Sequence, residues 1–216
     1  MNSLATNSEK KSSAPISYFE IFLYALPTLA VSFLVSPLAI IQGVYAKHFG
    51  LELTTIAAVL LIARLFDAII DPVIGAWSDS YYRRRGNRKP FIICGGLLLI
   101  ISSYFLYVPI SAVSGQEVVR VSATYFLFSF LAFFLAWTFF EIPHLAWGGE
   151  LMADSKGKNK VYVIRAIGVY VGNLLFFVVP LLPIFSTTEF SPQSLRWSVI
   201  FAGLVMIPSL YACIRF

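Results

Sequence analysis

Charged residues are scarce in this chain, and so are cysteine and histidine. Asp, Glu, Lys and Arg together make up 12% of the 216 residues, whereas they make up about 25% of an ordinary soluble domain. The two cysteines, Cys94 and Cys213, both lie in apolar segments, which is typical of buried small side chains and argues against a disulfide framework. The two histidines, His48 and His144, are far apart. The sequence therefore offers no histidine-rich metal cluster and no cofactor site, and no nucleophile stands beside an obvious base, which argues against an enzyme.

Hydrophobic residues make up 58% of the chain, and the mean hydropathy is +0.79. This composition indicates an integral, multi-pass membrane protein in contact with the lipid bilayer. Six apolar runs, each about long enough to span a bilayer, cover residues 18–45, 54–77, 90–110, 121–150, 161–185 and 195–214. We therefore predict an all-α membrane protein with six transmembrane helices. Residues 1–16 are polar and are predicted to form a disordered cytoplasmic tail, and residues 17–216 the six-helix bundle.

The basic residues predict how the bundle is oriented. Most of them fall on one side of the predicted membrane: Lys10 and Lys11, Arg83 to Arg85 with Arg88 and Lys89, Lys156, Lys158 and Lys160, and Arg215. Only Lys47, Arg120 and Arg196 fall on the other side. The positive-inside rule then places both termini in the cytoplasm, which agrees with an even number of spans and, in a bacterium, implies the inner membrane. This topology explains the net charge of +5 without nucleic acid as a partner.

Three charged residues lie within the second apolar run, at Arg64, Asp67 and Asp71. On an α-helix they fall within a sector of roughly 60°, and Gly75 continues the same stripe. Each ionised residue near the middle of a bilayer costs about 2.5 to 3.5 kcal/mol on the insertion scale, so three unpaired charges facing lipid would cost roughly 8 to 10 kcal/mol. The stripe must therefore face protein or water.

Two further charged residues reach the same depth. Glu141 in the fourth predicted helix is roughly 15 Å from its cytoplasmic end at 1.5 Å per residue, and the two aspartates are roughly 12 to 18 Å deep. Arg165 in the fifth helix has a long side chain that can reach this level. Three carboxylates and two guanidiniums leave one net negative charge, which a monovalent cation would cancel, so the cluster favours a site for Na⁺ or H⁺. The alternative is a set of interhelical salt bridges without any ion.

A basic segment follows the second predicted helix. Asp79 precedes three consecutive arginines, Arg83 to Arg85. Such a segment serves as a positive-inside anchor, and Asp79 adds the alternative that an acid–arginine contact forms a cytoplasmic latch, broken when the protein opens.

These motifs resemble those of the glycoside-pentoside-hexuronide:cation symporters of the major facilitator superfamily. The motif Arg64-x-x-Asp67-Ala-x-x-Asp71-Pro-x-x-Gly75 is similar to the family's second-helix cation motif, and Trp137-Thr138-Phe139-Phe140-Glu141-Ile142-Pro143 to its fourth-helix segment. The resemblance implies the following roles: cation binding by Asp67, Asp71, Thr138 and Glu141, with the two aspartates as the metal ligands if the ion is Na⁺; substrate binding by Glu141, Arg165 and Trp137; charge balance by Arg64; and a gating loop with Gly75, Asp79, Arg83, Arg84 and Arg85.

The resemblance also implies a half transporter, because the family has twelve helices and the six predicted here resemble its amino-terminal half. The first functional hypothesis is a secondary active transporter, or its amino-terminal half, that carries a sugar, glycoside or related small solute with Na⁺ or H⁺. The alternative is a truncated or split half that does not transport alone and serves as an assembly partner. A second six-helix half or a homodimer would complete either form.

Overall fold

The computed structural model describes residues 16–109, 120–185 and 188–215, and within these ranges all regular structure is helical. The helices are α1 (Tyr18–Val35), α2 (Ile41–Phe49), α3 (Leu53–Arg85), α4 (Lys89–Tyr107), α5 (Ala123–Glu150), α6 (Ser155–Val178) and α7 (Pro192–Arg215). In the described part of the chain, six of them, all except α2, are long and apolar enough to cross a membrane. The predicted all-α fold with six spans is therefore confirmed.

The start of α1 follows directly from the sequence. The Ser17 hydroxyl accepts a hydrogen bond from the backbone N–H of Glu20 at 3.2 Å, and the Glu20 carboxylate accepts one from the backbone N–H of Ser17 at 2.7 Å. This reciprocal capping box satisfies two of the N–H groups that a helix start leaves free. The predicted tail, residues 1–16, lies outside the described residues except for Ile16.

The prediction of one continuous helix over residues 18–45 is wrong. The α-helix ends at Val35, a 3₁₀ turn covers Ser36–Ala39, and α2 then begins at Ile41. Pro37 has no backbone N–H, so it cannot donate a helical hydrogen bond. The Ser36 hydroxyl oxygen lies 2.7 Å from the Ser32 carbonyl oxygen and 2.8 Å from the Asn173 side-chain amide oxygen, and the second contact ties this break to α6.

The second transmembrane helix is longer than predicted. Helix α3 has 33 residues, about 50 Å at 1.5 Å per residue, and it ends where Gly86 adopts a left-handed conformation with φ of 71°. Arg83, Arg84 and Arg85 are therefore the last turn of a helix, where positive charge interacts favourably with the helix dipole. All five residues assigned to the gating loop, Gly75 and Asp79 included, thus lie within α3 rather than in a loop, and their gating role stays a prediction. The connecting turn is only residues 86–88.

The helices pack around α1, which lies against α6 and α7, while α5 lies against α3 and α4. Two glycines permit very close approach. A Cβ atom at Gly172 of α6 would lie 2.2 Å from the Leu29 carbonyl oxygen of α1, and one at Gly95 of α4 would lie 2.4 Å from the Phe140 backbone nitrogen of α5. Small residues at such crossings let membrane helices make backbone contact. The charged residues of α3, α5 and α6 are thereby carried on closely packed helices.

Candidate functional site

A small cavity of about 90 Å³ lies between α3 and α5. Its lining includes five of the six residues predicted to bind the cation or the substrate, namely Asp67, Asp71, Trp137, Thr138 and Glu141, together with Ile142. The helical stripe of α3 and the acidic segment of α5 thus face each other, as their similar depths predict. Three carboxylate side chains with a hydroxyl and an indole make this a polar site inside an apolar bundle.

Oxygen atoms of the aspartates form one side of the cavity. The Thr138 hydroxyl donates to Asp71 Oδ1 at 3.0 Å, which leaves the other carboxylate oxygen of Asp71 available. Only 21% of the Asp67 side chain is exposed. No group of three His, Cys, Asp or Glu side chains within the described ranges is arranged to hold a metal ion. A bound Na⁺ would therefore take oxygen atoms from the aspartates, Thr138 and water, and protonation of one aspartate is the alternative.

Helix α6 contributes Arg165, whose guanidinium donates a hydrogen bond to the Glu141 carboxylate. Its side chain is 13% exposed, and that of Glu141 is 29% exposed. The sequence predicts that this helix begins at Val161, but α6 begins earlier, at Ser155, with Asp154 as its N-cap. Arg165 therefore lies ten residues inside the helix rather than about one turn inside. Its charge neutralises Glu141 and leaves the two aspartates as the remaining acids of the cavity.

Arg64 lies at the rim of the cavity rather than within it. Its side chain is 71% exposed, its Nη1 is 3.8 Å from Asp67 Oδ2, and its guanidinium lies 5.4 Å from the centre of the Phe134 ring. The Trp137 ring also packs against the Phe134 ring in an edge-on arrangement, with centroids 5.6 Å apart. Arg64 and Asp67 thus form a long ion pair between two residues of the same helix, and the guanidinium lies at the edge of the cavity.

A second charged cluster joins α3, α4 and α5, and we call its four residues, Ser78, Asp79, Arg88 and Glu150, the Arg88 cluster. Arg88 Nη2 lies 2.7 Å from Asp79 Oδ1 and 2.9 Å from Glu150 Oε1, and its Nη1 donates to the Ser78 hydroxyl at 2.8 Å. The Arg88 side chain is only 6% exposed. Burial by itself would lower the pKa of Arg88, but its hydrogen bonds to the two carboxylates outweigh that effect and raise the pKa above its ordinary value.

Sequence reasoning assigned no role to Arg88 or Glu150. The sequence does not single out an arginine partner for Asp79, and Arg83, Arg84 and Arg85 are all exposed in the structure. Two features of the sequence could have identified these residues. Arg88 directly precedes the start of α4, and Glu150 is an acid at the end of an apolar run. Gly75 faces Ile142 of α5, where a Cβ atom would be 3.8 Å away in ordinary contact. This glycine is therefore not required by packing within the described bundle.

Comparison with known proteins gives these two clusters a context. The chain is 26% identical over 172 residues to the "Putative glycoside/cation symporter YagG" of Escherichia coli, covering 78% of this chain and 36% of that protein. It is 29% identical over 133 residues to the lactose permease of Leuconostoc lactis, covering 62% of this chain and 20% of that protein. The chain thus spans between a fifth and about a third of the length of these relatives. The names of both describe transporters rather than enzymes. The model of the family described as MFS/sugar transport protein matches residues 23–216, and this chain belongs to that family.

Proposed function

We propose that this chain forms part of a secondary active transporter that carries a sugar or glycoside together with Na⁺ or H⁺. The observation that carries the proposal is the cavity between α3 and α5, where Asp67 and Asp71 lie beside the Glu141–Arg165 ion pair. Ionisable groups kept inside a membrane bundle usually mark the path of an ion or substrate. The names of the relatives, a symporter for glycosides and cations and a permease for lactose, agree with this chemistry.

The proposed roles follow the geometry of the cavity. Asp71, held by the Thr138 hydroxyl, and Asp67 bind the cation or take up the proton, and Arg64 tunes their charge from the rim. Glu141 and Arg165 bind hydroxyl groups of the solute, because a carboxylate accepts and a guanidinium donates hydrogen bonds, while Trp137 offers an aromatic surface to the sugar ring. Glu141 contacts both parts, so cation binding and solute binding influence each other.

The Arg88 cluster is proposed to act as a gate on the cytoplasmic side, where the positive-inside rule places the ends of α3 and α5. Its ion pairs join the C-terminal part of α3 and the end of α5 through the turn that leads into α4. Opening a path between α3 and α5 on this side would separate these charges. No observation favours the alternative of an assembly partner without transport, and the proposed transporter includes a second half or a second copy that completes the cavity.

The decisive experiment is cation-driven sugar accumulation in membrane vesicles made from cells that express the complete gene product containing this chain. Asp71→Asn should reduce accumulation driven by a Na⁺ or H⁺ gradient by about tenfold or more, which corresponds to about 1.4 kcal/mol of lost coupling. Equilibrium exchange of labelled sugar across the same vesicles should persist, because exchange needs no coupling ion gradient. Imposing the Na⁺ and H⁺ gradients separately identifies the ion.

Glu52→Gln is a matched control, because Glu52 is exposed and directly precedes α3 without a side-chain cap. It should accumulate sugar as the wild type does. Gradient-driven accumulation by Asp71→Asn at the wild-type level would contradict the proposed coupling role.

A further inference from the structure

Three buried polar atoms on α1, α5 and α6 have no hydrogen-bond partner within the described residues: Thr28 Oγ1, His144 Nδ1 and Arg165 Nε. Thr28 is 1% exposed and His144 is 0% exposed. Buried polar groups in proteins are nearly always hydrogen-bonded, to protein or to ordered water. Three such atoms on three helices in mutual contact therefore point to a shared partner.

The three side chains surround one junction, which we call the α1–α5–α6 junction. The His144 ring stacks on the Tyr24 ring with centroids 4.3 Å apart, and Thr28 follows Tyr24 by one helical turn on the same face of α1. The Thr28 Cβ atom lies 4.0 Å from the Cβ position of Gly168, and Gly168 follows Arg165 by three residues on α6. Thr28 thus lies one helical turn from Tyr24, the stacking partner of His144, and its Cβ atom faces α6 about one turn from Arg165.

The hydrogen bonds around Tyr24 define the chemistry of His144. His144 Nε2 lies 2.9 Å from the Tyr24 carbonyl oxygen, and the Tyr24 hydroxyl donates to the His144 carbonyl at 2.8 Å. A carbonyl oxygen only accepts, so Nε2 must carry the hydrogen, and Nδ1 of the neutral imidazole is an acceptor with a free lone pair. This tautomer is inferred from the hydrogen-bond partner.

The same carbonyl leaves no place for the Thr28 hydroxyl. It already accepts the helical N–H of Thr28, as expected inside an α-helix, and the N–H of His144, which uses both of its lone pairs. Arg165 Nε can only donate, and its Nη2 is used by Glu141. The junction therefore presents one donor, one acceptor and one hydroxyl that can act as either.

We propose that the α1–α5–α6 junction is an internal hydration site that holds one or two water molecules. Water accepts from Arg165 Nε, donates to His144 Nδ1 and exchanges a hydrogen bond with the Thr28 hydroxyl, so it satisfies all three atoms. Internal waters typically make about three hydrogen bonds of this kind. Thr28 and His144 are sealed from the surface, which excludes a sugar hydroxyl at their position. This water connects the Glu141–Arg165 ion pair to Thr28 and His144. The hydrogen bond of His144 to the Tyr24 carbonyl then continues the connection to the backbone of α1.

The sign of a stability change tests this proposal. Thr28→Val keeps the shape of the side chain and removes only the hydroxyl. If the hydroxyl binds water, the midpoint of thermal unfolding in detergent should fall by about 2 to 4 °C, whereas Thr28→Ser, which keeps the hydroxyl, should lose less. If the hydroxyl has no partner, Thr28→Val should unfold at the same or a higher temperature, because removing an unsatisfied buried group is favourable. That result would overturn the proposal.

A double-mutant cycle tests whether the site is shared. His144→Gln can keep an N–H near the Nε2 position and removes the Nδ1 acceptor. The shifts of Thr28→Val and His144→Gln should be non-additive, because both disturb the same water molecules. Additive shifts would show two independent sites and contradict a shared one.

Radiolytic labelling in ¹⁸O water then identifies the ligand itself. Hydroxyl radicals formed from a bound water should label Tyr24 or His144 of the wild-type protein despite their burial, and the yield should fall severalfold in Thr28→Val. Absence of labelled oxygen at both residues in the wild type would contradict hydration.

Discussion

A guanidinium group inside an apolar bundle is stable only where a carboxylate lies beside it. Arg165 has Glu141, and Arg88 has both Asp79 and Glu150. Removing one member of such a pair is costly, because the charge left behind loses its partner but regains little water. Replacing both members leaves no unpaired charge. At the scale of single residues, stability therefore depends on matched charges rather than on the number of charges.

Arg165→Gln should lower the free energy of unfolding by about 2 to 3 kcal/mol, which is less than the 3 to 5 kcal/mol expected for a fully buried pair. The lower value is expected because Glu141 remains 29% exposed. Denaturation in detergent, followed by the loss of helical circular dichroism, measures the change. Combining Glu141→Gln with Arg165→Gln should recover part of the loss, since no charge is then unpaired. A double variant as unstable as the sum of both single variants would argue against the pair.

At the scale of helices, the Arg88 cluster connects three elements through one side chain. Helix α3 contributes Asp79, near its C-terminal end, and the end of α5 contributes Glu150, while Arg88 itself directly precedes α4. A hydrogen bond from Lys89 to the Ile214 carbonyl, at 2.9 Å, adds the end of α7. Movement of α3 against α5 must therefore break contacts to a single guanidinium.

Arg88→Gln should shift the protein toward the state that is open on the cytoplasmic side, because it removes both ion pairs. The shift can be measured as faster labelling of Trp137→Cys by a membrane-impermeant maleimide in inverted vesicles. Arg84→Gln, in the exposed last turn of α3, is the matched control and should label at the rate of its parent. Equal labelling rates for both variants would contradict the proposed role of the Arg88 cluster as a cytoplasmic gate.

The sequence predicts the six spans well because the length and polarity of each run depend only on local composition. It also predicts that Asp67, Asp71 and Glu141 meet, since helical spacing and depth follow from counting residues. It does not predict which arginine binds Asp79, because Arg83, Arg84, Arg85 and Arg88 look alike until packing buries one of them. The break at Ser36–Ala39 has a local signal in Pro37. The junction around His144 has none, because it depends on contacts between helices that are distant in the chain.

At the scale of the whole molecule, the distribution of the basic residues predicts the orientation of the helix bundle in the membrane. The turn after α3 and the turn before it lie at opposite ends of a helix about 50 Å long, so they must emerge on opposite sides of a bilayer about 30 Å thick in its core. Helices α3 and α6 also present large apolar side chains on their outer faces, such as Leu61, Leu65, Tyr170 and Leu174. Such faces are compatible with lipid.

The predicted orientation can be tested with single cysteines in a Cys94→Ser, Cys213→Ala background. Glu52→Cys should react with a membrane-impermeant maleimide in intact cells, and Arg84→Cys only after the membrane is opened. Both positions are exposed, so access to the reagent depends on the side of the membrane alone. The reverse pattern would place the basic ends of the helices outside and contradict the positive-inside prediction.

The short turn between α3 and α4 has a practical consequence for anyone who wants to attach a reporter to this protein. Surface loops usually accept inserted tags or fluorescent domains because few contacts depend on them. Here the turn has three residues, of which Gly86 needs a left-handed backbone and Arg88 is buried in ion pairs. An insertion at this point would separate Arg88 from one or both of its carboxylates, so this loop is a poor place for a label even though it lies at the surface.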